Sequence, residues 1–133
     1  MLSLGLAIAV LAHGIGHVLF LVPAVGIANW ADQTGHSWLL TSVVGDGPAR
    51  AVAAFVWAAA TLLFVAGVAG FWTGQEWWRQ VTIGAAIVSI VGIVLFWDGI
   101  ATSNAFLALA FDVAVLLALL WARWPGAQPG TSV

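Results

Sequence analysis

Four long apolar stretches alternate with short polar breaks along the chain. They cover about residues 2–22, 49–72, 81–97 and 105–122, each close to the roughly 20 residues that a helix needs to cross a bilayer. Pro23, Pro48, Asp98 and Pro125 lie at or near their boundaries. A membrane β-barrel would instead show short segments of alternating polarity. The pattern therefore predicts an all-α fold, a four-helix transmembrane bundle.

Local signals predict how these helices begin and how the chain is divided. Thr73-Gly74-Gln75-Glu76 reads as a capping box, which would start the third helix before residue 81. Ser103 or Asn104 is the predicted N-cap of the fourth helix. Residues 1–124 would form one transmembrane domain, followed by a polar tail over residues 125–133. We expect the first helix to be retained, because no basic residues precede it and it is longer than the apolar core of a secretory signal.

The connection between the first and second helices, residues 23–46, is the longest in the chain and is not strongly polar. Its large apolar residues are Trp30, Trp38, Leu39, Leu40, Val43 and Val44. A free loop of this composition would expose much apolar surface. We therefore predict an interfacial outer loop whose short helical turns rest on the mouth of the bundle.

Composition identifies the solvent of this bundle. Of 133 residues, three are Arg and five are acidic, so charged residues make up 6 %. A soluble domain has about 25 %. The hydrophobic fraction is 63 % and the mean hydropathy is +1.10. These values exclude a soluble enzyme, a disordered chain and a basic nucleic-acid binder, and the lack of Cys excludes a disulfide scaffold. The expected partner is the lipid bilayer, with no nucleic acid.

The positions of arginine and tryptophan predict an orientation. Four spans place both termini on one side with Arg79 and Arg123, whereas Arg50 lies alone on the other side. The positive-inside rule then puts the N and C termini in the cytoplasm. Eight of the nine tryptophans fall at predicted span boundaries, where this side chain prefers the headgroup level, and Trp57 alone lies well inside a span.

Three titratable residues fall near the middle of the predicted membrane. His13 and His17 are four residues apart, so both point from one face of the first helix. At 1.5 Å per residue, His13 lies roughly 16 Å from Leu2 and Asp112 lies roughly 15 Å from the inner end of the fourth helix. An unpaired Asp at this depth costs about 2.5–3.5 kcal/mol. We therefore predict that Asp112 pairs with His13.

Further polar residues are expected at the outer mouth of the bundle. In the four-helix arrangement Asp98, Asn104 and Arg50 ring this mouth, and His17 lies one turn closer to it than His13. Together these residues would form a polar funnel that opens outward and leads down to Asp112. Such a funnel suits a small ligand or a proton, because histidine titrates near neutral pH and His–Asp relays occur in transporters.

Two histidines and a carboxylate could also hold a metal ion, with His13 and His17 joined by Asp112 or Asp98. The zinc-protease string does not occur, because Gly14 stands where it needs a glutamate. Haem held by two histidines needs ligands on opposite sides of the macrocycle, whereas these two share one helix face. We therefore predict no cofactor, and a metal- or haem-binding redox protein stays an alternative.

The second and third helices carry little polar chemistry at depth. Thr61 and Ser89 are their only polar residues there, and we interpret each as bonding back to its own helix. Small residues such as Gly84 and Gly92 share a helix face and allow close packing. Such faces serve either to close the bundle or to dock it in a homo-oligomer or a larger membrane complex. A structural subunit of such a complex is therefore another alternative.

Two short strings carry a family resemblance. Leu11-Ala12-His13-Gly14-Ile15-Gly16-His17, and Trp97-Asp98-Gly99 leading into the last helix, resemble a group of small uncharacterised bacterial four-helix integral membrane proteins. Members commonly have Pro after the residue that matches Trp97, where this chain has Asp98. The resemblance covers most of the chain and implies the fold and a multi-pass location in a bacterial plasma membrane. It implies no catalytic residue.

These observations lead to one expected function. The chain is predicted to be a small non-enzymatic membrane protein with an outward-facing His/Asp site for a small ligand or a proton. Its candidate site residues are His13, His17, Asp112, Asp98, Asn104 and Arg50.

Overall fold

Every apolar stretch of the sequence forms a helix in the computed structural model, which describes residues 2–29 and 33–123. The helices are α1 (Leu2–Gly16), α2 (Val18–Ala24), α3 (Leu40–Val44), α4 (Asp46–Trp72), α5 (Trp78–Leu95) and α6 (Thr102–Leu116). A 3-10 turn at Trp97–Gly99 precedes α6, and a π-helical turn at Leu117–Trp121 continues it. Four segments are long and apolar enough to cross a membrane, namely Leu4–Ala24, Asp46–Trp72, Trp78–Leu95 and Thr102–Trp121. The predicted all-α fold is thereby confirmed.

Two predicted N-caps are wrong. The N-cap of α6 is Ala101, with no side-chain cap, so Ser103 and Asn104 lie within the first turn of the helix. The third span starts at Trp78, before residue 81 as predicted, but its N-cap residue also makes no side-chain hydrogen bond. Thr73 instead donates its hydroxyl to the carbonyl of Ala69, 2.9 Å away, at the end of α4. A Thr side chain can bond to a carbonyl of the helix before it or to an N–H of the helix after it. Here Thr73 bonds to an otherwise free carbonyl at the end of α4.

The end of the first span is closed by a cation. Pro23 does not stop the helix but lies inside the last turn of α2. Arg50 on α4 donates from Nη2 to the carbonyl of Pro23, 2.5 Å away, and from Nε to the carbonyl of Ala24, 3.3 Å away. The last carbonyls of a helix have no partners within it, and a positive charge there is favourable.

The spans pack in a definite order. α1 and α2 pack on α4, α4 packs on α5, and α5 packs on α6, whereas the backbones of α1 and α6 make little contact. The bundle therefore has a lateral gap between its first and last spans. We call the end of the bundle near α3 the cap end, and the end near Leu2 and Trp78 the terminal end.

Two apolar clusters fill the bundle, one towards each end. The terminal cluster contains Ala7, Val10, Phe64, Val68, Ala85, Ala86, Val115 and Leu119. The cap cluster contains Phe20, Ala24, Ala53, Trp57, Ile93, Phe96, Ile100 and Ala105. In sequence, His13 and His17, Ser89 and Asp112 fall between the members of these two clusters on their helices. These four polar residues thus form one layer between two apolar layers.

Glycines allow the helices to approach closely at that layer. A Cβ at Gly92 would lie 2.6 Å from Cγ1 of Val56 and 2.9 Å from the ring of Trp57. A Cβ at Gly14 would lie 2.5 Å from Cβ of Phe64. Both distances are shorter than real Cβ contacts allow, so α5 and α1 could not pack against α4 in this way with any other residue at these positions.

The segment after α2 folds back over the cap end. Ser37 donates its hydroxyl to the carbonyl of Leu95, 2.5 Å away, and the backbone N–H of Thr34 donates to the carbonyl of Gly99. α3 follows as a short surface helix. The expectation of short helical turns at the bundle mouth is therefore met by the part of the loop that the structure describes. Trp30, Asp32, Trp124 and the predicted tail 125–133 lie outside the described residues.

The close approach of α5 to α4 can be tested with a pair of glycines. We expect Gly92→Ala to lower the free energy of unfolding by about 1–3 kcal/mol, because its methyl group overpacks against Val56 and Trp57. Gly84→Ala is the control, since a Cβ there meets nothing within 4 Å. It should be neutral or stabilising by up to about 1 kcal/mol. Thermal unfolding in detergent, followed by circular dichroism, measures both, and equal effects would contradict this packing.

Candidate functional site

A buried carboxylate on α6 lies against a histidine of α1. Nε2 of His13 is 2.8 Å from Oδ1 of Asp112, as their equal depths along the helices predict. The Asp112 side chain is 0 % exposed and that of His13 is 11 % exposed. A carboxylate without access to solvent needs partners for both oxygens, and His13 supplies one of them.

Ser89 of α5 supplies the other partner. Its Oγ lies 2.5 Å from Oδ2 of Asp112 and 2.7 Å from Nε2 of His17. Nδ1 of His17 then lies 3.1 Å from the carbonyl oxygen of His13. The four residues thus form one closed network that joins α1, α5 and α6. We call His13, His17, Ser89 and Asp112 the polar cluster.

A break in the first span places His17 in this network. The backbone N–H of His17 donates to the carbonyl of Gly14, 3.3 Å away, rather than to that of His13. The ring of His17 bonds to the His13 carbonyl in its place. α1 therefore ends at Gly16 and α2 starts at Val18, because a side chain has entered the helical hydrogen-bond series. A carbonyl only accepts, so Nδ1 of His17 carries a hydrogen.

Aromatic rings enclose both histidines. The ring of His17 lies nearly parallel to the rings of Trp57 and Phe64, with 5.7 Å between centroids in each case. His13 stacks on Phe111, with 4.3 Å between centroids and 22° between planes. These rings exclude water from most of the cluster and hold each imidazole in one orientation. In such an apolar surrounding a hydrogen bond is stronger and an unpaired polar atom costs more.

One side of the cluster is open. A groove of about 420 Å³ lies in the gap between the first and last spans. It is lined by Ala9, His13, Gly16, His17, Leu19, Phe20, Asn104, Leu107, Ala108 and Phe111. It extends from the level of Ala9 to the first turn of α6, and so lies mostly in the cap half of the bundle. The opening beside the cluster is therefore a lateral groove and not the predicted polar funnel.

The other predicted site residues are divided between this groove and the cap. Asn104 lines the groove, but Asp98 and Arg50 do not. Oδ2 of Asp98 lies 2.7 Å from Nδ1 of His36, and Oδ1 accepts the backbone N–H of Trp38 at 2.8 Å. Arg50 holds the carbonyls at the end of α2. Both charges therefore organise the folded-back segment and do not reach the polar cluster.

The sequence did not place Ser89 in the site, and the predicted hydrogen bond from Ser89 to its own helix is wrong. Ser89 is fully buried and bonds to two side chains of other helices, whereas Thr61 donates to the carbonyl of Trp57 in its own helix, as expected for both residues. One signal could have separated them. Ser89 lies eight residues before Trp97 and Asp112 lies eight residues after Asn104, so both lie at a similar depth in neighbouring antiparallel spans.

The donor set also fits a metal ion in type. Ligand atoms of His13, His17 and Asp112 all lie within 4.8 Å of one another. Binding an ion through Nε2 of both histidines would, however, break the contacts with Asp112 and Ser89. An ion held in this way would therefore have to replace the hydrogen bonds of both histidines.

Comparison with known proteins adds no assignment to this geometry. No protein-family model, curated protein or solved structure matches the chain.

The bridging role of Ser89 predicts a large effect of one hydroxyl group. We expect Ser89→Ala to lower the free energy of unfolding by about 1–3 kcal/mol, because it leaves buried atoms of Asp112 and His17 without a partner. Thr61→Val is the matched control, since it removes a hydroxyl that bonds only within α4. Its effect should stay near about 0.5 kcal/mol. Equal losses in a denaturant titration in detergent would show that Ser89 does not bridge the helices.

Proposed function

We propose that this chain is a small multi-pass protein of a bacterial plasma membrane whose polar cluster binds a proton and exchanges it through the lateral groove. The observation that carries the proposal is the count of hydrogens in the cluster.

The outer surface of the bundle supports a lipid surrounding. Only 28–33 % of the most apolar window of each span is buried. The remaining surface carries large apolar side chains such as Phe55, Leu62 and Leu107, which are 75 %, 68 % and 71 % exposed. Water would be a poor solvent for this surface, whereas the hydrocarbon core of a bilayer matches it.

Four contacts in the cluster need four hydrogens. They are His17 with the His13 carbonyl, His17 with Ser89, Ser89 with Asp112, and Asp112 with His13. Two neutral imidazoles and one hydroxyl supply three. Ionised Asp112 supplies none. The complete network therefore holds one proton more than a carboxylate with two neutral histidines.

The extra proton has two places, and the Ser89 hydroxyl connects them. In one arrangement His17 is doubly protonated and donates to Ser89, which donates to ionised Asp112. In the other, Asp112 is protonated and donates to Ser89, which donates to neutral His17. The first arrangement becomes the second when the hydrogen on Nε2 of His17 moves to Oγ of Ser89 and the hydroxyl hydrogen of Ser89 moves to Oδ2 of Asp112. Both arrangements keep all four contacts and give the cluster no net charge.

Electrostatics supports the same count. A carboxylate with two neutral histidines would leave an uncompensated negative charge in an apolar bundle, which is costly in a membrane. One added proton removes that charge.

Arg79 and Arg123 lie at the terminal end and Arg50 at the cap end, so the positive-inside rule favours termini in the cytoplasm and a groove that faces the outside.

The exchange path is supported by the position of His13. It is the member of the cluster that bonds to Asp112, lines the groove and is partly exposed. Its two ring nitrogens allow it to accept a proton on one and release one from the other. Protons would therefore pass between the groove and Asp112 through this imidazole.

The proton count can be read by spectroscopy. In protein in detergent at neutral pH, we expect either an infrared band of a protonated carboxyl that is lost in Asp112→Asn, or nitrogen NMR signals of a doubly protonated His17. Asp98→Asn is the control, because this carboxylate is 37 % exposed and bonds outside the cluster. Its substitution should leave both signals unchanged. Ionised Asp112 together with a neutral His17 would overturn the proposal.

The proposed orientation can be tested separately, because the chain has no natural cysteine. Ser42→Cys at the cap end and Gln75→Cys at the terminal end both lie at exposed positions. We expect a membrane-impermeant maleimide to label Cys introduced at position 42 in intact cells. The position 75 variant should react only after the membrane is permeabilised. The reverse pattern would place the groove on the cytoplasmic side.

A further inference from the structure

The lateral groove has the size and lining of a binding site. Its volume of about 420 Å³ lies within the range of small-molecule sites, about 300–1,000 Å³. Its walls are mostly apolar, with Leu19 and Phe20 on α2 facing Leu107, Ala108 and Phe111 on α6. Measured along α6, it extends from Asn104 to Phe111, roughly 10 Å at the rise of a helix.

Two polar residues that line this groove have side-chain atoms without a hydrogen-bond partner in the described part of the chain. Nδ1 of His13 makes no hydrogen bond with any described residue, although Nε2 of the same ring bonds to Asp112. The side-chain amide of Asn104 likewise makes none. A polar atom beside lipid gains more from an occupant that bonds to it than from an acyl chain.

The state of His13 determines which chemical group fits. In both proposed arrangements of the cluster, Nε2 of His13 donates to Asp112, so Nδ1 of the neutral ring carries a lone pair. The occupant must therefore present a hydrogen-bond donor at this end. The ring of Phe111 stacks on His13, and both Phe111 and Phe20 line the groove. A flat aromatic ring therefore fits beside these two phenylalanines.

We propose that the groove binds a lipid-soluble phenol, with its O–H donating to Nδ1 of His13 and its apolar tail between α2 and α6. The occupant reaches the groove sideways from the bilayer, through the gap between the first and last spans. This inference rests on the proposed proton site, because that site requires Nε2 of His13 to donate and so leaves a lone pair on Nδ1. It places a donor group directly on the residue through which protons enter the cluster.

The chain offers a matched pair of substitutions to test this site. A Cβ at Gly16 or at Gly5 meets nothing within 4 Å, so both positions have room for a larger side chain. Gly16 lines the groove and Gly5 does not. Gly16→Leu should therefore fill the groove without disturbing the bundle, and Gly5→Leu provides the same change outside it.

The experiment uses photo-crosslinking in lipid nanodiscs with an alkylphenol that carries a diazirine on its tail. We expect crosslinks on groove residues such as Leu107. Unlabelled 4-hexylphenol should compete about tenfold better than 4-hexylanisole, the worth of one hydrogen bond. Gly16→Leu should abolish the crosslinks and Gly5→Leu should preserve them. His13→Phe, if it folds, should make the two competitors equal.

Three results would overturn the proposal. Equal competition by the phenol and the anisole in the unmodified protein would mean that an apolar occupant such as an acyl chain fills the groove. Crosslinks that persist in Gly16→Leu would place the phenol elsewhere. A dimer that Gly16→Leu converts to a monomer, without any phenol crosslink, would mean that a second copy of the chain covers the groove. The spectroscopic test of Asp112 is made without phenol, so failure of the proton site is distinguished from failure of the phenol site.

Discussion

The structure depends on the burial of one carboxylate in an apolar bundle. Asp112 is fully buried on α6, and both of its oxygens need partners that α6 itself does not provide. His13 of α1 takes one and Ser89 of α5 takes the other. Removing one member of such a network lowers the stability of the fold by more than the hydrogen bonds of that member contribute, because it leaves a buried polar atom unpaired. Helix packing around Asp112 is therefore held to one arrangement at this level.

Other features of the bundle follow from this requirement. α1 reaches Asp112 through a side chain rather than through close backbone contact, so the first and last spans stay apart and leave a groove. His17 reaches Ser89 only because the first span breaks at that residue and its ring binds the His13 carbonyl. The same contacts that neutralise the carboxylate thus connect it to a groove at His13. Proton binding and a phenol site are two proposed uses of that connection.

Much of the fold and part of the site could be predicted because they depend on distances along single helices. Apolar runs of membrane length mark the four spans, and equal depth pairs His13 with Asp112. Helix ends were predicted less well. Thr73 closes α4 instead of starting α5, and Arg50 closes α2 instead of lining a site. For Thr73, two sets of unpaired backbone groups competed for one side chain, and sequence spacing does not decide between them. For Arg50, the unpaired carbonyls at the end of α2 come close only in the folded chain.

By itself, the sequence determined four apolar helices of membrane-spanning length and the position of each polar residue along them, since composition and the rise of a helix are properties of the chain alone. Only the tertiary structure decided which faces meet. The rotation of α5 turned Ser89 towards Asp112 instead of towards its own backbone. The order of packing placed the gap between the first and last spans. Rotation and order depend on how residues such as Gly14 and Gly92 let neighbouring helices approach, and that contact between distant parts of the chain is not visible in any one stretch of it.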